Sequence, residues 1–80
     1  MALEFFGMDP DTDTDHCPSV WVDAENADLV LQGWKADDQT EAECLQTGSI
    51  PDYEAVIRIP ARMVPMIREA CDAAERAQLR

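Results

Sequence analysis

The sequence predicts an α+β fold: a small three-stranded antiparallel sheet, made of a hairpin plus a third strand, packed on one long C-terminal helix, with a short helix in the middle. Three observations carry this expectation. Two β-rich runs flank a short polar stretch in "SVWVDAENADLVLQGWKA", an alternating run stops at a proline in "YEAVIRIP", and "ARMVPMIREACDAAERAQLR" repeats apolar residues at spacings of three and four.

The hairpin comprises Val20 to Asp23 and Leu29 to Lys35, with Asn26 as the turn residue suited to positive φ. In its second run Leu29 and Leu31 share one face, and Val30, Gln32 and Trp34 share the other. One side is therefore expected to pack on a helix, leaving the other partly solvated. Gly33 marks either a bulge or the close approach of another segment.

"ADDQTEAECLQTG" reads as the short helix. Asp37 or Asp38 is its N-cap, Glu41 would complete a capping box with Asp38, and Gly48 is the stop. The helix dipole alone accounts for acids in that first turn. The third strand is expected over Glu54 to Ile59, where Ala55, Ile57 and Ile59 alternate with Glu54, Val56 and Arg58, and Pro60 ends it. In the long helix Val64, Ile67, Cys71 and Ala74 form the apolar stripe, flanked by Met63, Met66, Ala70 and Ala77. Pro65 fits if it lies in the first turn, where its missing N–H has no intrahelical partner.

The domain is expected to occupy residues 19–80, preceded by a polar acidic leader over 1–18. Within the leader, "MDPDTDTDHCPS" invites comparison with a calcium loop. From Asp9, the residues Asp11 and Asp13 fit, but Thr14 stands at the glycine position and Val20 at the closing glutamate. From Asp11, His16 and Val22 occupy those positions. Both frames fail where the motif is most demanding, so a closed EF-hand is excluded and weak, open divalent-metal binding is the residual alternative. His16 and Cys17 would be two of the four ligands a structural zinc needs, and the other cysteines, Cys44 and Cys71, are far along the chain. The expected metal and cofactor content is none.

Net charge is −11. Its placement is uneven: residues 1–54 hold fourteen acids and one base, Lys35, whereas residues 55–80 hold three acids and five arginines. Such a field repels phosphate and steers a basic protein inward, so nucleic acid is an unlikely partner for most of the surface. The three cysteines form no CxxC pair, and with no basic, apolar leader they read as thiols of a reducing compartment, with Cys44 and Cys71 on apolar helix faces. No run approaches the roughly 20 apolar residues of a membrane span. A cytoplasmic location is therefore expected. One histidine and three glycines, at 7, 33 and 48, supply neither a convincing Cys–His nucleophile nor a phosphate loop, so no enzyme is expected.

Two resemblances add to this reading. "AVIRIPARMVPMIREACDAA" resembles the first half of a ribbon–helix–helix repressor, a family whose paired strands enter the major groove. That resemblance implies Glu54, Val56 and Arg58 as strand-face positions of a DNA-binding dimer. More broadly, "LEFFGMDPDTDTDHCPSVWVDAENADLVLQGWKADD" and "DYEAVIRIPARM" resemble small acidic actinobacterial proteins of undefined activity, often encoded beside helix-turn-helix regulators of development and secondary metabolism. The matching features are the FFG-x-D-P leader, the P-[ST]-x-[WFY]-V-D strand, the LxxQGW strand and the V-[VI]-R-[IL]-P-A-R-M junction. This resemblance implies an accessory or regulatory role in the cytoplasm.

The functional expectation is a non-enzymatic regulatory protein that binds a partner protein, in one version a basic helix-turn-helix regulator, through an acidic surface. The ribbon–helix–helix-like dimer and the weak metal binder are its alternatives. Trp21 and Trp34 are the expected aromatic contacts, Asp11, Asp13 and Asp15 the acidic ones. Arg58 and Arg62 either pair with acids of the same chain or of a second protomer in a homodimer, or form the one basic patch.

Overall fold

A computed structural model of the chain describes residues 2–11 and 18–78. β1 (Leu3–Met8), β2 (Ser19–Asp23) and β3 (Leu29–Gln32) form an antiparallel sheet in the order β1-β2-β3. A second sheet pairs β4 (Trp34–Lys35) with β5 (Ile57–Arg58), and α1 (Asp38–Leu45) lies between those two strands in sequence. A 3₁₀ turn over Ala61–Met63 leads into α2 (Val64–Gln78). The α+β class and the long C-terminal helix are as the sequence predicts.

The third strand of the main sheet is a correction. It is β1, inside the stretch expected to be a polar leader, and not the run 54–59, of which only Ile57 and Arg58 are strand. Two features of β1 explain why its pattern does not read as a strand. The register runs Phe5 opposite Trp21 and then Gly7 opposite Val20, so Phe6 is an extra, bulged residue that breaks the alternation. The bulge keeps Phe6 against the core on the helix side while Met8, opposite Ser19, moves to the other side. Gly7 is needed there because its φ of 157° strains any L side chain, and a Cβ would in addition stand 2.6 Å from Sδ of Met66. Backbone bonds extend the ladder at both ends, from Ala24 N–H to Ala2 and from Asp9 N–H to Pro18, 2.8 and 2.9 Å.

Val20 and Val22 on β2 and Ala70 and Ala74 on α2 form the buried cluster, with Phe6, Ala27, Met66 and Ile67 packed around it. Small alanines let the helix lie close on the sheet, and Met63 fills the other end completely buried. The helix face is turned slightly from the expected stripe: Val64 is exposed and Met63, Ala70 and Ala74 take the buried positions. Pro65 lies in the first turn, as its chemistry requires. Leu29 and Leu31 lie opposite Val22 and Val20 and share one face, as predicted; the register makes that face the helix side.

The second expected run breaks at Gly33. A Cβ there would meet the Arg58 carbonyl oxygen at 2.8 Å and the Ile59 side chain at 2.7 Å, so the β5 backbone passes over this point and β4 begins a separate sheet. That is the close approach, not the bulge. The hairpin turn also differs: Ala27 takes the positive φ of 67°. Asn26 instead accepts the Asp28 N–H through Oδ1 at 3.0 Å, and Asp23 accepts the Glu25 N–H at 2.9 Å, so local side-chain bonds set the loop. The α1 cap is Asp37, whose Oδ1 accepts the Thr40 N–H at 2.8 Å, and the Asp38–Glu41 box is not used. α1 ends at Leu45, before Gly48.

Candidate functional site

Residues 1–34, which supply every strand of the main sheet, hold eight carboxylates and no lysine or arginine. α2 covers the Val20/Val22 side of this sheet. Alternation turns Trp21 to the opposite side, with Phe5 and Val30 as its partners across the two ladders. Leu3 and Met8 share that side with Phe5 by the same register. Leu3, Phe5 and Met8 are 42, 54 and 47 % exposed, large values for such side chains, and Trp21 is half-buried. The Phe5 and Trp21 rings meet at 6.0 Å between centroids with a 59° tilt. Asp23, opposite Leu3, bounds one end of the patch. The outcome is an apolar shelf on a sheet whose charge is entirely negative.

One member of that acidic set is withdrawn from the surface. The Asp9 carboxylate is wholly buried and is gripped side-on by Arg62: Nε donates to Oδ1 at 2.6 Å and Nη2 to Oδ2. Oδ1 also accepts the Asp11 N–H at 3.1 Å, and the Asp11 carboxylate lies 3.7 Å from Arg62 Nε. A bidentate, charge-assisted pair of this kind satisfies a buried carboxylate that would otherwise be very costly. The contact with Asp9 holds the Arg62 guanidinium pKa above its ordinary value. Of the two pairings the sequence allowed for Arg62, the structure makes the one within the chain.

The segment 33–60 stands apart. α1 buries none of its residues, and Trp34, Leu45, Tyr53 and Ile57 are exposed on it. The radius of gyration is 14.1 Å, against about 12 Å for a compact chain of this length. Arg58 donates through Nη2 to Thr40 Oγ1 at 2.6 Å, tying β5 to the start of α1. The Thr40 hydroxyl and N–H hold the Asp37 carboxyl below its usual pKa, with a smaller contribution from Arg58. β5 pairs with β4 of the same chain, which engages the strand that the repressor resemblance would pair between protomers.

The expected contact residues are thus divided among three places. Trp21 lies on the sheet face, Trp34 and Arg58 on the projecting segment, and Arg62 and Asp11 at the Asp9 clamp. Asp13 and Asp15 lie outside the described residues, as do His16 and Cys17. Cys44 and Cys71 are free thiols, each half-buried. Sequence reasoning missed Leu3, Phe5 and Asp9. An FF pair carries no periodic signal and Asp9 is one of four alternating aspartates with nothing local to single it out; only the pairing with Trp21 and Arg62 gives them a role. Among the described residues no group of three or more His, Cys, Asp or Glu is placed to hold a metal ion, and no helix is long and apolar enough to cross a membrane. The chain matches no protein-family model, no curated protein and no solved structure.

Proposed function

We propose that this chain is a non-enzymatic, cytoplasmic regulatory protein that binds a basic partner protein through the acidic surface of its main sheet. The observation that supports the reading is the coincidence of an exposed aromatic shelf with a sheet devoid of basic residues. Apolar anchors supply the affinity of an interface, while a one-signed rim steers and selects the partner. The DNA-reading face of a helix-turn-helix regulator has the complementary charge, and the protein would act there as an acidic decoy, displacing DNA.

Titrating the chain into a purified basic helix-turn-helix domain tests this. Binding is expected to weaken as ionic strength rises from about 0.01 to 0.15 M, over which the screening length falls from about 30 to 8 Å. The chain is also expected to release operator DNA from that domain. Affinity indifferent to salt would remove the electrostatic mechanism, and a DNA shift by this chain alone, lost on Arg58→Ala, would replace it with the DNA-binding dimer.

A further inference from the structure

We infer that β1 is a docking edge, beside which an extended, cationic segment of the partner protein adds as a fourth strand and lays its apolar side chains on Leu3, Phe5 and Met8. The inference rests on the reading above and gives it a place and a geometry. β1 is an outer strand of the three-stranded sheet, so one side of its backbone faces away from β2. Natural sheets guard such edges with very short strands, lysine or other charges, proline, or bulges. β1 is six residues long, "LEFFGM", with neither lysine nor proline, and its bulge lies at Phe6, which leaves Leu3 to Phe5 in regular register with β2.

The side chains say what an added strand would meet. Leu3, Phe5 and Met8 all project on the side that α2 leaves uncovered, and Trp21 behind Phe5 makes the shelf continuous into the sheet. A strand added at β1 would cover them with its own alternate residues, which is the usual way strand addition gains specificity.

Charge selects the occupant. A second copy would bring another net −11 and another base-free sheet against the first, whereas a segment carrying lysine or arginine between its apolar positions is attracted by Glu4 on the strand itself and by Asp23 opposite Leu3. The proposed partner segment therefore alternates basic and apolar residues.

The probe is a synthetic peptide alternating lysine with valine, about eight residues long to span the strand, titrated into the full chain. Companion peptides alternate glutamate with valine and lysine with serine. The lysine–valine peptide is expected to bind best and to slow amide hydrogen exchange across residues 3–8. Phe5→Ser is expected to weaken it about tenfold or more, as loss of an interface anchor does, while Tyr53→Phe, at an exposed residue of the segment after α1, leaves it unchanged. Phe5 is half exposed, so the variant should fold; retention of α2 exchange protection checks this, and Leu3→Ser replaces it if that protection is lost. Protection that maps elsewhere, equal binding of the lysine–serine peptide, or a dimer buried through β1 in light scattering would overturn the docking edge. In the first two cases salt-sensitive cationic binding would persist and the wider reading would stand; if no cationic probe bound at any ionic strength, both would fall.

Discussion

The Arg62 guanidinium closes on the buried carboxylate of Asp9 across fifty-three positions of sequence, fastening the end of β1 to the turn that starts α2. The two partners are unequal. Asp9 is wholly buried, whereas the Arg62 side chain is 43 % exposed. Removing Arg62 takes the bidentate cationic donor from a buried carboxylate, while altering Asp9 leaves an arginine that water can solvate.

Arg62→Ala is therefore expected to be the costlier change. Taking the charged donor from a buried carboxylate is strongly destabilising in general, and the solvent exposure of Arg62 moderates that loss here. Asp9→Asn, which keeps acceptor capacity for Arg62 and for the Asp11 N–H, should cost about half as much. Denaturant midpoints of the two variants decide it; an equal or reversed order would contradict the burial asymmetry.

Gly33→Ala and Gly7→Ala separate backbone from side-chain crowding. At Gly33 the new methyl meets the Arg58 carbonyl, which cannot yield without moving β5; at Gly7 it meets the flexible thioether of Met66, on top of the backbone strain that a φ of 157° imposes on alanine. Both overpack, at about 1–3 kcal/mol. The expected result is that Met66→Ala offsets part of the Gly7→Ala penalty in a double-mutant cycle. Gly33→Ala should erase the cross-strand contacts of Trp34 and Lys35 with Arg58 and Ile57 while the main sheet persists, readable by nuclear Overhauser effects.

Asp37 titrates early. Its carboxyl is held low in the folded chain by Thr40, so the stabilisation it provides is present above its ordinary value of 3.8 and is lost as pH falls through the lowered one. Carboxyl chemical shifts followed through acid should give Asp37 a midpoint below 3.8, and Thr40→Ala should move it upward without abolishing the backbone cap from residue 40. A midpoint unmoved by Thr40→Ala would mean that the hydroxyl is not the cause.

Ala27→Gly should raise stability. The left-handed backbone at Ala27 costs an L-residue roughly 1–2 kcal/mol, and the extra freedom of glycine in the unfolded chain returns about 0.4–1 kcal/mol of that. With the small loss of a half-buried methyl, a net gain of about 0.5 kcal/mol is expected by thermal unfolding.

What could be read from the sequence followed local chemistry. Ser19–Asp23 and Leu29–Gln32 alternate cleanly on a sheet with one covered face, Asp37 caps at a site where propensity and dipole agree, and Pro65 sits where a helix tolerates it. What was lost depended on distant partners. β1 has a bulge in place of a period, Ile57–Arg58 pairs with β4 because Gly33 lets its backbone close in, and Asp9 looks like any other acid of its run until Arg62 reaches it. The candidate site was half legible: Trp21 carried an aromatic signal, but Phe5, the residue that makes its side of the sheet a shelf, acquires meaning only through register.

The position of α2 has a consequence for biosynthesis. Val20 and Val22 find their cover in Ala70 and Ala74, which are made long after the strands they cover, and Arg62 reaches Asp9 only shortly before. During translation the strands therefore emerge with their inner face bare, and the hairpin cannot be held by a hydrophobic layer until the C-terminal helix leaves the ribosome. Eight carboxylates in the first 34 residues keep that waiting segment apart from its neighbours by mutual repulsion, a use of the charge that precedes any partner.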